Sequence, residues 1–264
     1  MAKKKAVTKS SVDEELKDIL SYKKEPVGFE KIKFKLKCKN PKQKEYSKLI
    51  RENNITICTG PSGVGKSYIA LATALELLSN PDTPYKKLVL MIAPVQTDIE
   101  VGFLKGELNS KLRPHAEAYL YNLADMIGGM DKVEALIEGG FIEIMCVSFA
   151  RGINLKDCVC ICGECQQYSK ESFLTIITRP TETAKLCFEG DQYQTDNKNI
   201  RKGREESGLK HALENLSNLP GIGILEFDAS HIVRNPLISK ILYRWDKDTY
   251  GYLEEIIKED DLLE

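Results

Sequence analysis

A glycine-rich loop ending in Lys66 and Ser67 is the stretch of this sequence with the clearest chemistry. Residues 60–67 match the P-loop pattern G-x-x-x-x-G-K-[ST], between an apolar run and a helical pattern. Glycines let the backbone wrap closely around phosphates, and the loop N–H groups and the helix N-terminus face the anion. Lys66 suits the β- and γ-phosphates, and Ser67 suits magnesium. We therefore expect a nucleoside triphosphate to contact Gly60, Pro61, Ser62, Gly63, Val64, Gly65, Lys66, Ser67 and Tyr68.

An acidic position follows the apolar run 157–162. P-loop ATPases place an Asp–Glu pair at the end of a neighbouring strand, where Asp holds magnesium through water and Glu orients the attacking water. Here Glu164 is present, as a magnesium and catalytic candidate, but Gly163 stands at the Asp position. We expect weaker magnesium affinity and slower turnover, unless Asp157 or Asp191 substitutes. A Gly163→Asp change should then speed hydrolysis at limiting magnesium.

A second polar motif, Gly190-Asp191-Gln192-Tyr193-Gln194, follows the next apolar run. The Gln194 amide suits a γ-phosphate sensor that also touches the attacking water, and a plain β-turn is the alternative. Arg151 and Arg234 are candidates for stabilising transition-state charge, because a guanidinium donates two hydrogen bonds to phosphate oxygens. Either arginine, taken alone, is more often a surface ion-pair residue.

Gln43 lies in a helical pattern just upstream of the P-loop strand. Its amide carries a donor and an acceptor side by side, which suits the edge of adenine. An exposed, solvated glutamine is the alternative, so only its position favours the binding role.

Alternating strands and helices predict a parallel α/β sheet with the site along its carboxyl edge. The strand predictions cover residues 55–58, 87–93, 141–147, 157–162, 185–188 and 223–227. The stretch between the second and third of these is predicted to be a helical insertion. Cys158, Cys160 and Cys162 alternate along one strand, and a strand cannot bring residues about 7 Å apart onto one metal ion, so we expect reduced core thiols.

Residues 31–39 alternate lysines with Ile32, Phe34, Leu36 and Cys38. This period of two predicts a half-buried edge strand whose lysines prevent edge-to-edge pairing, and a nucleic-acid surface is the alternative. The net charge of −1 excludes a strongly basic protein, so any nucleic acid would meet a patch. No apolar run nears the ~20 residues of a membrane span, and residues 1–5 lack a signal-peptide pattern, which favours a cytoplasmic protein without a membrane partner.

Taken in order, these motifs resemble the PhoH-like ATPases, which are related to superfamily-one helicases and occur in bacteria and phages. The resemblance covers roughly residues 40–245. It rests on Gln43 and Tyr46, the P-loop, the segment 94–108, Phe149 to Gly152, Glu164 to Gln166, Gly190 to Gln194, Ser207 to Leu209, and Val233 to Leu237. The family usually has Asp-Glu-Ala-Gln where this chain has Gly163 to Gln166, and Arg where it has Ala93.

The resemblance implies one RecA-like domain that hydrolyses ATP with magnesium, linked to single-stranded RNA or DNA. It divides the chain into an arm (1–30), an ATPase domain (31–250) with the insertion at about 95–140, and an acidic tail (251–264). With no second domain to offer an arginine, Arg151 or Arg234 would act on a neighbouring subunit, which predicts a ring, with a homohexamer as the expectation. A scaffold that binds ATP with little hydrolysis and a small-molecule kinase are the alternatives.

Overall fold

The computed structural model describes residues 28–93 and 105–245. Six parallel strands form one sheet in the order β3-β2-β4-β5-β1-β6. The strands are β1 (Ile55–Thr59), β2 (Lys87–Ile92), β3 (Ile142–Cys146), β4 (Cys158–Cys162), β5 (Ala184–Gly190) and β6 (Ile222–Glu226). The helices are α1 (Pro41–Glu52), α2 (Lys66–Ser79), α3 (Lys105–Ile127), α4 (Met130–Glu138), α5 (Lys170–Ile177), α6 (Lys198–Arg201), α7 (Gly208–Asn215) and α8 (Pro236–Trp245). The predicted parallel α/β sheet flanked by helices is confirmed.

The central strands are buried on both faces, as expected of a parallel sheet covered by helices on each side. All five residues of β4 and all seven of β5 are buried. One core cluster lies between the sheet and helices α1 to α4, and the other lies between the sheet and helices α5 and α7. The carboxyl ends of β1, β4 and β5 therefore meet at one edge of the sheet, where the polar motifs follow them.

Local sequence signals set the helix starts nearest this edge. Asn40 caps α1 by accepting from the Gln43 backbone N–H (2.8 Å), with Pro41 at the first helical position. Ser169 caps α5 and Ser207 caps α7 in the same way. These caps fix where each helix begins relative to the strand ends.

The lysine-rich segment is not a strand, so that prediction is wrong. Residues 32–38 have no regular secondary structure, although their exposure alternates as predicted, with exposed lysines and half-buried apolar side chains. The apolar side chains pack on the helical layer rather than extending the sheet. The Leu36 backbone N–H donates to Glu76 Oε1 of α2 (2.9 Å) instead of to a neighbouring strand. A period of two indicates an extended segment with one buried face, but it does not indicate whether a sheet or a helix covers that face.

Two helices, α3 and α4, occupy the described part of the predicted insertion. Their apolar side chains, Leu120, Leu123 and Leu136 among them, belong to the same core cluster as β2 and α2. These two helices therefore pack on the sheet and form part of the connection from β2 to β3. None of the described helices is both long and apolar enough to cross a bilayer. Residues 94–104, most of the arm and the acidic tail lie outside the described residues.

The cysteines are free thiols, and all but Cys38 are buried. Cys160 Sγ and Cys162 Sγ lie 3.8 Å apart on one face of β4, inside the apolar core. Among residues 28–93 and 105–245, no group of three or more His, Cys, Asp or Glu side chains has the arrangement of a metal site. Burial raises the pKa of the Cys158 thiol to about 12, so this thiol stays protonated.

Candidate nucleotide-binding site

The P-loop turns sharply where β1 ends and α2 begins. Gly60, Gly63 and Gly65 all have positive φ, at 145°, 91° and 92°. A Cβ at Gly60 would lie 2.5 Å from the Phe227 carbonyl oxygen, so a side chain cannot fit between the loop and the end of β6. The Gly60 N–H donates to the Gly190 carbonyl (3.2 Å), which ties the loop to β5.

A cavity of about 720 Å³ opens beside this loop. Residues from several parts of the fold line it: the lysine segment, α1, α3, the P-loop with α2, the end of β5, and the segments after β4, β5 and β6. The lining includes Lys37, Lys39, Gln43, Ser62, Gly63, Gly65, Lys66, Ser67, Tyr68, Tyr119, Asn122, Glu164, Gln166, Glu189, Asp191, Gln194 and Arg234. Most of the predicted site residues thus surround one space large enough for a nucleotide.

The Lys66 ammonium is held by the loop itself. Its Nζ donates to the carbonyl oxygens of Gly60 (2.6 Å) and Pro61 (3.0 Å). A bound phosphate would compete with these two neutral acceptors for the ammonium, and a charged acceptor makes the stronger hydrogen bond. The position of Lys66 therefore suits phosphate binding at the loop.

Gln43 is buried, and both ends of its amide bind backbone groups around the P-loop. Its Nε2 donates to the Val64 carbonyl (2.9 Å), and its Oε1 accepts from the Lys39 N–H (2.7 Å). A Cβ on Gly65 would lie 2.9 Å from the same Nε2, so the amide packs directly on the loop. Gln43 is only 3% exposed, which excludes the alternative of a solvated surface glutamine. Its amide instead clamps the P-loop through these two hydrogen bonds.

Replacing Gln43 with Ala should destabilise the protein by about 1–3 kcal/mol, because the Val64 carbonyl and the Lys39 N–H lose their partners. The measurement is urea unfolding, with a lower midpoint at an unchanged slope. Affinities for ATP and GTP, measured on the same variant, decide whether the amide also reads the base. A changed ATP to GTP preference at full stability would contradict the clamp and favour adenine recognition.

Gln166 joins the ends of β4 and β5. Its Nε2 donates to Glu164 Oε2 (2.6 Å), and its Oε1 accepts from the Asp191 backbone N–H (3.1 Å). Glu164 itself adopts a left-handed conformation (φ 51°), and its exposed side chain lines the cavity. The two acidic candidates are thereby held at fixed positions facing the same space. Burial raises the pKa of Asp191, although the hydrogen bond from the Tyr193 backbone N–H lowers it.

The two arginine candidates have different positions. Arg234 lines the cavity of its own subunit, next to the P-loop, because the Val233 N–H donates to the Gly63 carbonyl (3.1 Å). Arg151 does not line the cavity and pairs on the surface with Glu171 (2.6 Å). Gln194 is exposed and lines the cavity, as its predicted role requires. The structure thus assembles every predicted site residue near the P-loop except Arg151.

One predicted substitute for the missing aspartate is wrong. Asp157 precedes β4, and its carbonyl accepts from the Lys86 N–H just before β2, so it lies at the opposite edge of the sheet from the P-loop. Asp191, the other predicted substitute, lies at the cavity, and its Oδ2 has no hydrogen-bond partner among the described residues.

Tyr119 and Glu189 are two cavity residues that sequence reasoning missed. The buried Tyr119 hydroxyl of α3 donates to Glu189 Oε1 of β5 (2.5 Å). Burial raises the pKa of Glu189 to about 7, although the Tyr119 hydrogen bond and the charge of Lys66 lower it. A signal existed for Glu189, since it is an acidic residue between an apolar strand and the Gly190-Asp191 turn. No local signal marked Tyr119, which only the fold brings to this place.

Comparisons with known proteins agree on one family. Residues 35–246 match the family model described as PhoH-like protein. The chain is 34% identical over 212 residues to a PhoH-like protein of Bacillus subtilis (strain 168), covering 80% of this chain and 64% of the relative. It is 28% identical over 208 residues to Protein PhoH of Escherichia coli (strain K12), covering 78% of this chain and 57% of the relative. The matches thus span less than two thirds of these relatives' lengths.

Solved structures give weaker likenesses. The large terminase of a thermophilic bacteriophage, in complex with ADP, aligns with a TM-score of 0.44 at 13% identity, covering 78% of this chain and 50% of that chain. Bacteroides Pif1 bound to ssDNA aligns with a TM-score of 0.35 at 13% identity, covering 84% of this chain and 50% of that chain. These likenesses are too weak to bear on function.

Proposed function

The chain belongs to the PhoH-like protein family, and we propose that its cavity binds ATP with magnesium and hydrolyses it to ADP and phosphate. One observation carries the proposal. The P-loop, Glu164, Asp191, Gln194 and Arg234 all line the same cavity. A triphosphate held by the loop would place its γ-phosphate among groups that can orient water and stabilise negative charge.

Each side chain has a role in this proposal. Lys66 and the loop N–H groups hold the phosphates, and Arg234 donates to the charge that develops on the γ-phosphoryl group. Glu164 and Gln194 orient the attacking water, while Gln166 keeps Glu164 in place through its 2.6 Å hydrogen bond. Magnesium, held by Ser67 with phosphate oxygens, would neutralise phosphate charge.

Phosphate release from ATP tests the proposal. Wild type should turn over ATP with magnesium, and Lys66→Ala should be slower by about 10²–10³-fold, the usual loss for one group that stabilises transition-state charge. Arg179→Ala is a control, because Arg179 bonds the Thr175 carbonyl on α5 and does not line the cavity. Wild-type phosphate release that equals the Lys66→Ala rate would contradict hydrolysis at this site.

A nucleotide-binding scaffold with little hydrolysis is the second candidate. Gly163 favours it, because the position after β4 has no carboxylate for the metal. The two candidates differ in one measurement: a scaffold binds ATP in a Lys66-dependent manner but releases no phosphate above the Lys66→Ala rate.

We also propose that hydrolysis is coupled to single-stranded RNA or DNA through the lysine segment. The segment exposes Lys33, Lys35, Lys37 and Lys39, and the last two of these line the cavity. A row of lysines with this spacing suits a phosphate backbone. Contact there would place the nucleic acid next to the nucleotide.

Single-strand affinity should fall as salt rises, with a slope of about −0.7 for each phosphate contact in a plot of log affinity against log salt. The double variant Lys33→Ala/Lys35→Ala should make this slope shallower by about 1.4. Filter binding or fluorescence anisotropy with a labelled oligonucleotide gives the slope. The matched control, Lys202→Ala/Lys210→Ala, removes two exposed lysines outside the segment and should change the slope much less. Equal effects of the two double variants would remove the lysine segment from the interface.

A homohexameric ring and the division into arm, ATPase domain and tail stay predictions. Arg234 already lines the cavity of its own subunit, so it can act without a neighbour, whereas Arg151 would need one. Light scattering with ATP and magnesium should detect the ring. A strict monomer under those conditions would remove it.

A further inference from the structure

The place where P-loop ATPases carry an aspartate is physically filled in this protein. Gly163 directly follows β4, and its N–H donates to the Met91 carbonyl of β2 (3.3 Å), so its backbone is fixed by the sheet. A Cβ at this position would overlap the Tyr119 hydroxyl oxygen and would lie 2.7 Å from Tyr119 Cζ. Position 163 must therefore be glycine, because any side chain there would overlap Tyr119. The Tyr119 hydroxyl in turn binds another carboxylate.

That carboxylate belongs to Glu189, one strand away from β4. Glu189 pairs with Cys58 in the register between β5 and β1, one residue before the Gly190 carbonyl that holds Gly60. Its side chain is 1% exposed and lines the cavity. Oε1 accepts from Tyr119, and Oε2 has no hydrogen-bond partner among residues 28–93 and 105–245. A buried carboxylate oxygen without a partner is costly, unless a ligand completes the site.

We propose that Glu189 supplies, from β5, the carboxylate facing magnesium that Gly163 does not supply from β4, with Tyr119 as its positioning residue. This inference rests on the proposed ATP site. A hydroxyl and a buried carboxylate oxygen fit magnesium, which takes oxygen ligands and keeps several waters. Bound magnesium would favour the ionised form of Glu189, so the negative charge at the metal would come from β5 instead of from the position after β4.

Contacts distinguish Glu189 from Asp191, although each has one carboxylate oxygen without a hydrogen-bond partner among the described residues. The other oxygen of Asp191, Oδ1, accepts from the Tyr193 N–H (3.0 Å) within its own turn. The other oxygen of Glu189, Oε1, accepts from Tyr119, whose hydroxyl also fills the place of a Cβ at Gly163. Glu189 is therefore the carboxylate connected to the position that lacks an aspartate.

Binding of a fluorescent ADP analogue, titrated with magnesium, tests the proposal without using turnover. Glu189→Gln keeps the size of the side chain and an acceptor for Tyr119 but removes the charge. The magnesium midpoint, which is the concentration that gives half of the maximal change in ADP binding, should rise about 10–100-fold, the usual loss when a group supporting a metal site is removed. The variant should still bind ADP in EDTA, where no magnesium is available. Asp191→Asn is the matched control, and it should shift the magnesium midpoint less. Mn²⁺ binding in the presence of ADP, followed by electron paramagnetic resonance, should give the same order.

The outcomes separate this inference from the proposed function. A wild type that binds no nucleotide refutes both. A wild type that binds ADP, with a magnesium midpoint unchanged in Glu189→Gln, refutes the role of Glu189 alone. Equal loss of ADP binding with and without magnesium would mean that Glu189 only supports the fold. If Glu189→Gln does not fold, Tyr119→Phe replaces it, because it keeps the carboxylate and removes its donor; an unchanged midpoint there refutes the positioning role.

Discussion

Gly163→Asp should destabilise the protein by about 3–5 kcal/mol, the usual cost of an uncompensated buried charge, and should not speed ATP hydrolysis. The new side chain would have to displace Tyr119, whose hydroxyl fills the position of the Cβ. Displacing Tyr119 breaks its hydrogen bond to Glu189 and places a further carboxylate beside Glu189 and Asp191. This expectation reverses the one drawn from the sequence, where the glycine looked like a simple loss of an acid.

Two further variants separate steric overlap from charge. Gly163→Ala adds only the Cβ, so it should cost less, about 1–3 kcal/mol, as overpacking does. Tyr119→Ala/Gly163→Asp makes room, so its loss of stability should be smaller than the sum of the two single losses. Urea unfolding measures all of these proteins. A Gly163→Asp variant with wild-type stability and faster turnover at limiting magnesium would show that the space after β4 is open to a carboxylate.

The features that can be predicted from the sequence are those that depend on neighbouring residues. The P-loop needs a strand, a glycine loop and a helix in direct succession, and β1, residues 60–65 and α2 follow in that order. The six strand predictions succeeded for the same reason, since buried parallel strands are continuous apolar runs. The lysine segment shows the limit: its alternation identified the buried face of the chain but not the element that covers it.

The carboxylate arrangement could not be predicted, because it depends on three distant positions. Tyr119, Gly163 and Glu189 meet only after β4 and β5 pair and α3 crosses the sheet. At position 163 the motif indicates only a missing charge, because aspartate is expected there. Position 189 lies between the predicted strand, which ends at residue 188, and the turn motif, which begins at residue 190, so neither pattern includes it.

Arg234→Ala should lower the ATP turnover number by about 10³–10⁵-fold, the usual contribution of an arginine that stabilises the transition state for phosphoryl transfer. Arg234 follows Val233, whose N–H donates to the Gly63 carbonyl. The Arg234 side chain therefore starts next to the P-loop. Its Cβ would lie 3.5 Å from a Cβ at Gly63. Because the contribution arises in the transition state, nucleotide affinity should change much less than turnover.

Arg151→Ala is the matched control, since it removes another exposed arginine whose partner is Glu171 and which does not line the cavity. It should keep turnover near the wild-type value if hydrolysis is completed within one subunit. Mixing Arg234→Ala with Lys66→Ala then decides where Arg234 acts. An arginine serving its own subunit gives no recovery, because each chain carries one defect at its own site. Recovered turnover in the mixture would mean that Arg234 serves a neighbour's nucleotide, and the ring predicted from the sequence would then be required for activity.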